Sequence, residues 1–92
     1  MPGQVYSYPN PAVPGRPMTI VFEPCNGASV AVFDWSGRHV VDLDPGSVQA
    51  AQGQAHWNGR DGGGNDLASG LYFLALKADG RTLIQKFTVL RP

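Results

Sequence analysis

Apolar residues in this chain come in short runs that either alternate with polar ones or fill both faces of an extended strand, and no helical period recurs. Met18, Ile20 and Phe22 alternate with Thr19 and Val21, which predicts a strand with one inward face, ended by the turn residues Glu23-Pro24-Cys25-Asn26-Gly27. Residues 28–33 are apolar on both faces, as a central strand is. Asp34-Trp35-Ser36-Gly37 supplies an Asp start and a glycine suited to the left-handed position of a hairpin loop, so residues 38–43 are expected to pair back. Asp44-Pro45-Gly46 is a further turn, and the small and polar residues 47–57, with Gly53 inside them, predict one or two weak strands with a bend. A helix over residues 48–54 lacks a good cap and is too short to stand alone.

Gly62-Gly63-Gly64 lies in a loop over residues 58–69, and Gly70 leads into Leu71-Tyr72-Phe73-Leu74-Ala75-Leu76, the strongest strand of the chain. Asp79-Gly80 is a two-residue hairpin turn that needs positive φ and joins this strand to an antiparallel partner over residues 82–90. Near the start, Pro9 and Pro11 push the residues before them out of the helical region, so residues 5–17 are expected as an irregular extended stretch. About seven strands at intervals of roughly ten residues predict an all-β, two-sheet antiparallel sandwich. The expected organisation is one domain over residues 1–92, with residues 1–17 an extended N-terminal arm.

Composition narrows the function classes. A chain of 92 residues with 42% hydrophobic and 15% charged residues builds one core and is far from the signature of disorder. The 12 glycines and 8 prolines sit between apolar runs, as turn punctuation does in an all-β protein. Seven basic residues balance seven acidic ones without clustering, which argues against nucleic acid or an anionic membrane as partner. The longest apolar runs are far shorter than the roughly 18 residues of a membrane span, and Met1-Pro2-Gly3 lacks a basic and hydrophobic signal region, so no membrane insertion is expected and, if the module is exported, the signal is expected from a parent chain. Cys25 is the only cysteine, which excludes an internal disulfide and a cysteine-cluster metal site, and no basic neighbour marks it as a reactive thiolate.

Three blocks carry a family resemblance: Tyr8-Pro9-Asn10-Pro11, Phe33-Asp34-Trp35-Ser36-Gly37-Arg38-His39-Val40, and Trp57-Asn58-Gly59-Arg60-Asp61 followed by Ser69-Gly70-Leu71-Tyr72-Phe73. Their order and spacing, closed by Lys86-Phe87-Thr88-Val89-Leu90, resemble the FlgD-like Ig-like domain and its relatives, the C-terminal sorting domains of type IX secretion cargo. The resemblance implies an immunoglobulin/fibronectin III-like sandwich without catalytic role or cofactor, placed at the C-terminus of a secreted or cell-surface bacterial protein. It also implies that Tyr8, Pro9, Asn10, Pro11, Asp34, Gly37, Arg38, Trp57, Gly59, Arg60, Asp61, Gly70 and Tyr72 are structural motif positions. Trp57 would fill the space between the sheets, Arg60 would tie loop carbonyls or pair with Asp61 or Asp34, and Tyr72 would bond a neighbouring loop as in a tyrosine corner. The chain departs from the sorting domains at its end, where Val89-Leu90-Arg91-Pro92 replaces their basic tail.

Sharper readings compete with this one. Asp61, Asn65 and Asp66 among glycines offer oxygen ligands of the kind calcium prefers, but their spacing fits neither an EF-hand nor a calcium-binding β-helix repeat, and a plain polar loop is expected. His39 and His56, with Asp34, Asp42 or Ser36, supply the residue types of a nucleophile, base and orienter, yet nothing in the sequence brings them together. Trp35 at a hairpin tip is a candidate partner contact, against the preferred reading that its ring folds over the neighbouring strand. Three functions follow: a structural, assembly or attachment module with a protein partner or parent polypeptide; a sorting signal; and, ranked last, a carbohydrate-binding module resting on Trp35, Tyr6, Tyr8 and Tyr72. The C-terminal strand is expected at a sheet edge, where it can associate with another chain.

Overall fold

The computed structural model describes residues 5–91. Residues 1–4 of the expected arm, and Pro92 of the closing segment, lie outside the described residues. Eight strands form in chain order: β1 (Val5–Tyr8), β2 (Met18–Phe22), β3 (Ala28–Asp34), β4 (His39–Asp42), β5 (Val48–Gln49), β6 (Gln54–Trp57), β7 (Gly70–Ala78) and β8 (Arg81–Val89). They make two four-stranded sheets, ordered β1-β2-β6-β5 and β4-β3-β7-β8, and every strand pairing is antiparallel. This is an Ig-like β-sandwich, and its only helical pieces among the described residues are the 3-10 turns Pro45–Ser47 and Ala50–Gln52.

Both predicted hairpins form. Asp34 accepts at its carboxylate from the Ser36 and Arg38 amides, which closes the β3–β4 turn and leaves Gly37 at φ 90°. The β7–β8 turn has Asp79 at φ 53° and Gly80 at φ 74°, the mirror-image turn whose twist matches paired strands. The strand count rises because residues 5–8, expected to be irregular, pair with β2 from Val5 opposite Phe22 to Tyr8 opposite Thr19. Ser7 alternates inward, whereas Tyr6 and Tyr8 point outward and remain 53% exposed, a period-two pattern that the prolines downstream obscure in the sequence.

The core lies between the inner faces. Met18, Ile20, Phe22, Ala55 and Trp57 of one sheet meet Val30, Val32, Leu74, Leu76, Phe87 and Val89 of the other, with Ala12, Leu43 and Leu67 closing the ends. Each large aliphatic or aromatic side chain taken from water here contributes on the order of 1.5–3 kcal/mol. The Phe87 ring sits centrally, edge-on to Trp57 at 6.0 Å and tilted against Tyr72 at 5.9 Å.

The outer face of the second sheet departs from the usual alternation of apolar inside and polar outside. Registers place Phe33 opposite Phe73, Ala31 opposite Ala75, and Ala75 opposite Ile84 on that face, and Leu71 follows the same alternation along β7. Ile84 is 60% exposed, and Phe33, Leu71 and Phe73 are half-buried. The runs apolar on both faces therefore are central strands within their sheet, but no second layer of described residues covers their outer side.

Candidate functional site

The motif residues gather at one end of the sandwich and along the β6–β7 connection. Asn10 stands just past β1, and its side-chain oxygen accepts from both the amide (3.2 Å) and the hydroxyl (2.9 Å) of Thr88 on β8. Ala12 then donates to the Thr88 carbonyl and accepts from the Leu90 amide, each at 2.8 Å, forming a parallel bridge to Val89. Pro9 and Pro11, flanking Asn10, have no amide hydrogen to place in such a ladder, so the side chain of Asn10 does the bonding.

Trp57 ends β6 with its ring in the core and its indole N–H donating to the Arg60 carbonyl at 3.0 Å. The Arg60 amide is held by the Asn58 side chain at 3.1 Å, and the Arg60 guanidinium meets Asp66 at 2.9 Å. Neither Asp61 nor Asp34 is its ion-pair partner, as the sequence suggested, because both carboxylates are engaged in closing their own turns. Asp61 accepts from the amides of Gly63 (2.9 Å) and Asn65 (3.0 Å). Asp34 takes the Ser36 hydroxyl at 2.6 Å and the Arg38 guanidinium at 3.3 Å. The Arg38 side chain is 83% exposed, so this last pair adds little stability. Gly59 sits between Asn58 and Arg60 at φ 77°, so close to the Pro14 backbone that a Cβ there would lie 2.9 Å from the Pro14 Cα.

Tyr72 pairs opposite Asp34, is buried, and donates its hydroxyl to the Ala68 carbonyl at 2.8 Å, four residues upstream. That is the bond of a tyrosine corner. Burial, with the negative charge of Asp34 adding to it, pushes the Tyr72 phenol above its ordinary pKa. The Asp34 carboxyl is lowered, first by the Ser36 hydroxyl and then by the Arg38 and Ser36 amides and the Arg38 charge, against an opposing desolvation. Gly70 begins β7 opposite Val89.

The residue types of a hydrolytic triad do not converge. Ser36 gives its hydroxyl hydrogen bond to Asp34, His39 pairs with Asp42 at 2.8 Å, and His56 lies on the other sheet near Thr19. The Asp61 and Asp66 oxygens are directed to backbone amides and to Arg60, and among the described residues no group of three or more His, Cys, Asp or Glu side chains is placed to hold a metal ion. Cys25 is half-buried, with its thiol 3.5 Å from the Gly27 carbonyl.

Trp35 is 74% exposed at the β3–β4 tip, which corrects the expectation that its ring folds over a neighbouring strand. It is not part of a sugar platform with the tyrosines, since Tyr6 and Tyr8 belong to the other sheet and Tyr72 is in the core. Sequence reasoning missed an open groove of about 480 Å³ between the β4 end and the β6–β7 connection, lined by Pro17, Val41, Leu43 and Trp57 with Asp42, Asp44 and Asp61 among the polar groups. It also missed the apolar outer face of the second sheet. The signal for that face was present in residues apolar on both sides of a strand, which here mark an uncovered surface. No helix among the described residues is long and apolar enough to cross a membrane.

Comparison with known proteins agrees with this architecture. The family model described as the FlgD Ig-like domain matches residues 15–81. A solved structure of PorZ, an essential bacterial surface component of the type IX secretion system of Porphyromonas gingivalis, is similar at 30% identity with a TM-score of 0.71. That match covers 95% of this chain and 11% of PorZ, so the chain spans about a tenth of that protein. Comparison with curated proteins returned no match. The sandwich, its three sequence blocks and the family match together make this chain a member of the FlgD Ig-like domain family.

Proposed function

We propose that this chain is a non-enzymatic module of a secreted or cell-surface bacterial protein, standing at the C-terminus of its parent and serving structure, assembly or attachment. The observation that carries the reading is where the motif side chains direct their polar atoms. Asn10, Asp34, Trp57, Arg60, Asp61 and Tyr72 all bond to the chain's own loops and strand ends. A motif of this kind shapes a scaffold, and the exposed Trp35 and the apolar outer face leave that scaffold with surface suited to a protein partner. The test is the intact mass and cellular location of the native polypeptide that contains this sequence, together with deletion of the module from it. Retention in a large surface protein whose assembly fails on deletion is the expected result; a parent that assembles unchanged without the module refutes the reading.

A second reading, a sorting signal for a type IX-like machinery, is favoured by the likeness to PorZ across nearly the whole chain. Fusion of residues 1–92 to an exported reporter tests it, and a reporter stranded in the periplasm removes it.

A further inference from the structure

The end of the β4-β3-β7-β8 sheet is its longest open edge. Antiparallel pairing makes successive residues direct their main-chain groups alternately to either side of a strand. Thr88 turns its amide to Asn10 and its carbonyl to Ala12, away from β7, which fixes the phase: Lys86, Ile84 and Thr82 face the same way. Among the described residues nothing bonds the amides or carbonyls of these three. β1 approaches β8 from the facing sheet without pairing to it.

The usual protections of an exposed edge are scarce here. Pairing with β7 runs from Gly70 opposite Val89 to Ala78 opposite Arg81 without a bulge, and no proline interrupts β8. The other edges are shorter: β1 and β4 have four residues each and β5 has two, while the ladder beside β4 carries a bulge at Val32/Phe33. Lys86 is the one charged residue facing outward on the open stretch, and Ile84 beside it is 60% exposed.

We propose that β8 recognises a second copy of this chain, antiparallel, with Ile84 on the twofold axis. The register is self-complementary. Ile84 then faces its own counterpart, Thr82 faces Lys86 in both directions, and no like charges stand opposite one another. Each facing pair exchanges both N–H···O bonds, which satisfies the open main-chain groups. The pairing also extends an apolar row already present, from Ala31 through Ala75 to Ile84, across the axis into the same row of the other copy. The bridge between Ala12 and Val89 sets the limit of the stretch, because beyond Lys86 the edge is occupied by the chain's own N-terminal segment. The proposal deepens the assembly reading by naming a partner.

The test is sedimentation velocity of the 92-residue chain over a concentration series, with Ile84→Lys, which places like charges on the axis, and Ile84→Pro, which removes an amide that β7 does not use. Circular dichroism checks that each variant is folded. A dimer that both folded variants weaken by about tenfold or more is expected. If Ile84→Pro does not fold, Ile84→Lys and a cysteine pair decide. In a Cys25→Ser background, Ile84→Cys should oxidise to a covalent dimer, whereas Ser29→Cys on the same outer face should not. A chain that stays monomeric throughout, a dimer indifferent to Ile84→Lys, or equal cross-linking at both positions overturns the proposal. A strand from another protein pairing here in the absence of self-association also overturns it. None of these results touches the module reading, which deletion from the parent tests separately.

Discussion

Gly59→Ala separates two effects that a glycine can have in this fold, because Gly37 provides a matched control. Both residues have positive φ, 77° for Gly59 and 90° for Gly37, so a Cβ at either incurs the left-handed penalty of about 1–2 kcal/mol. At Gly37 a Cβ meets nothing within 4 Å among the described residues, and that penalty is the whole expected cost. At Gly59 the Cβ lies 2.9 Å from the Pro14 Cα, a backbone atom that cannot rotate away, and forcing the two segments apart adds about 1–3 kcal/mol. The total, roughly 3 kcal/mol, is a large share of the ~5–14 kcal/mol expected for a domain of this size. A 1 kcal/mol change shifts Tm by about 4–8 °C in a domain of 60–100 residues. Gly59→Ala should therefore melt at least about 10 °C below the wild type, and Gly37→Ala by clearly less. Urea unfolding read by tryptophan fluorescence gives the free energies, with an unchanged slope confirming that native stability alone has moved. Equal losses for the two variants would refute the close-approach argument and leave backbone conformation as the sole reason for Gly59.

Three further outcomes follow from groups already described. Among the described residues the buried Ser7 hydroxyl has no hydrogen-bond partner, so Ser7→Ala should raise stability by about 1 kcal/mol in chemical denaturation. Tyr72→Phe removes the hydroxyl bond to Ala68 and should cost about 1–1.5 kcal/mol by the same measurement, with the fold retained by circular dichroism. Asp34 has a folded-state pKa below its ordinary value of 3.8, so the stability it contributes is complete above that value and disappears as pH falls through the lowered one. Asp34→Asn should flatten this acid limb in a stability-against-pH series, and an unchanged limb would show that another carboxylate produces it.

The hairpins were legible in the sequence because their turn chemistry is local. Asp34 and Gly37, and Asp79 with Gly80, dictate turn geometry to their nearest neighbours alone. The Tyr72 hydroxyl bond was legible through its place at the start of a strong strand. What escaped depends on pairings far apart in the chain. The β1 strand is defined by its partner β2, and Asn10 by Thr88, which no local pattern reveals. Arg60 chose Asp66 over the nearer Asp61 because the Asp61 carboxylate was already turned toward the amides of its own loop. The outer apolar face escaped for a different reason: a strand apolar on both sides reads as buried on both sides, and only the order of layers shows that one side is open.

The bridge between Ala12 and Val89 also sets how the domain responds to tension. The two segments run parallel, so a pull toward the chain start at Ala12 and toward the chain end at Val89 slides one along the other. The Ala12 amide bond to Thr88 and the Leu90 amide bond to Ala12 then share the load in shear, together with the Asn10 clamp on Thr88, and have to fail as a group. An antiparallel join at the same place would open one bond at a time. Pulled from both directions, the domain would thus resist shear along the line where the segment after β1 lies beside the end of β8.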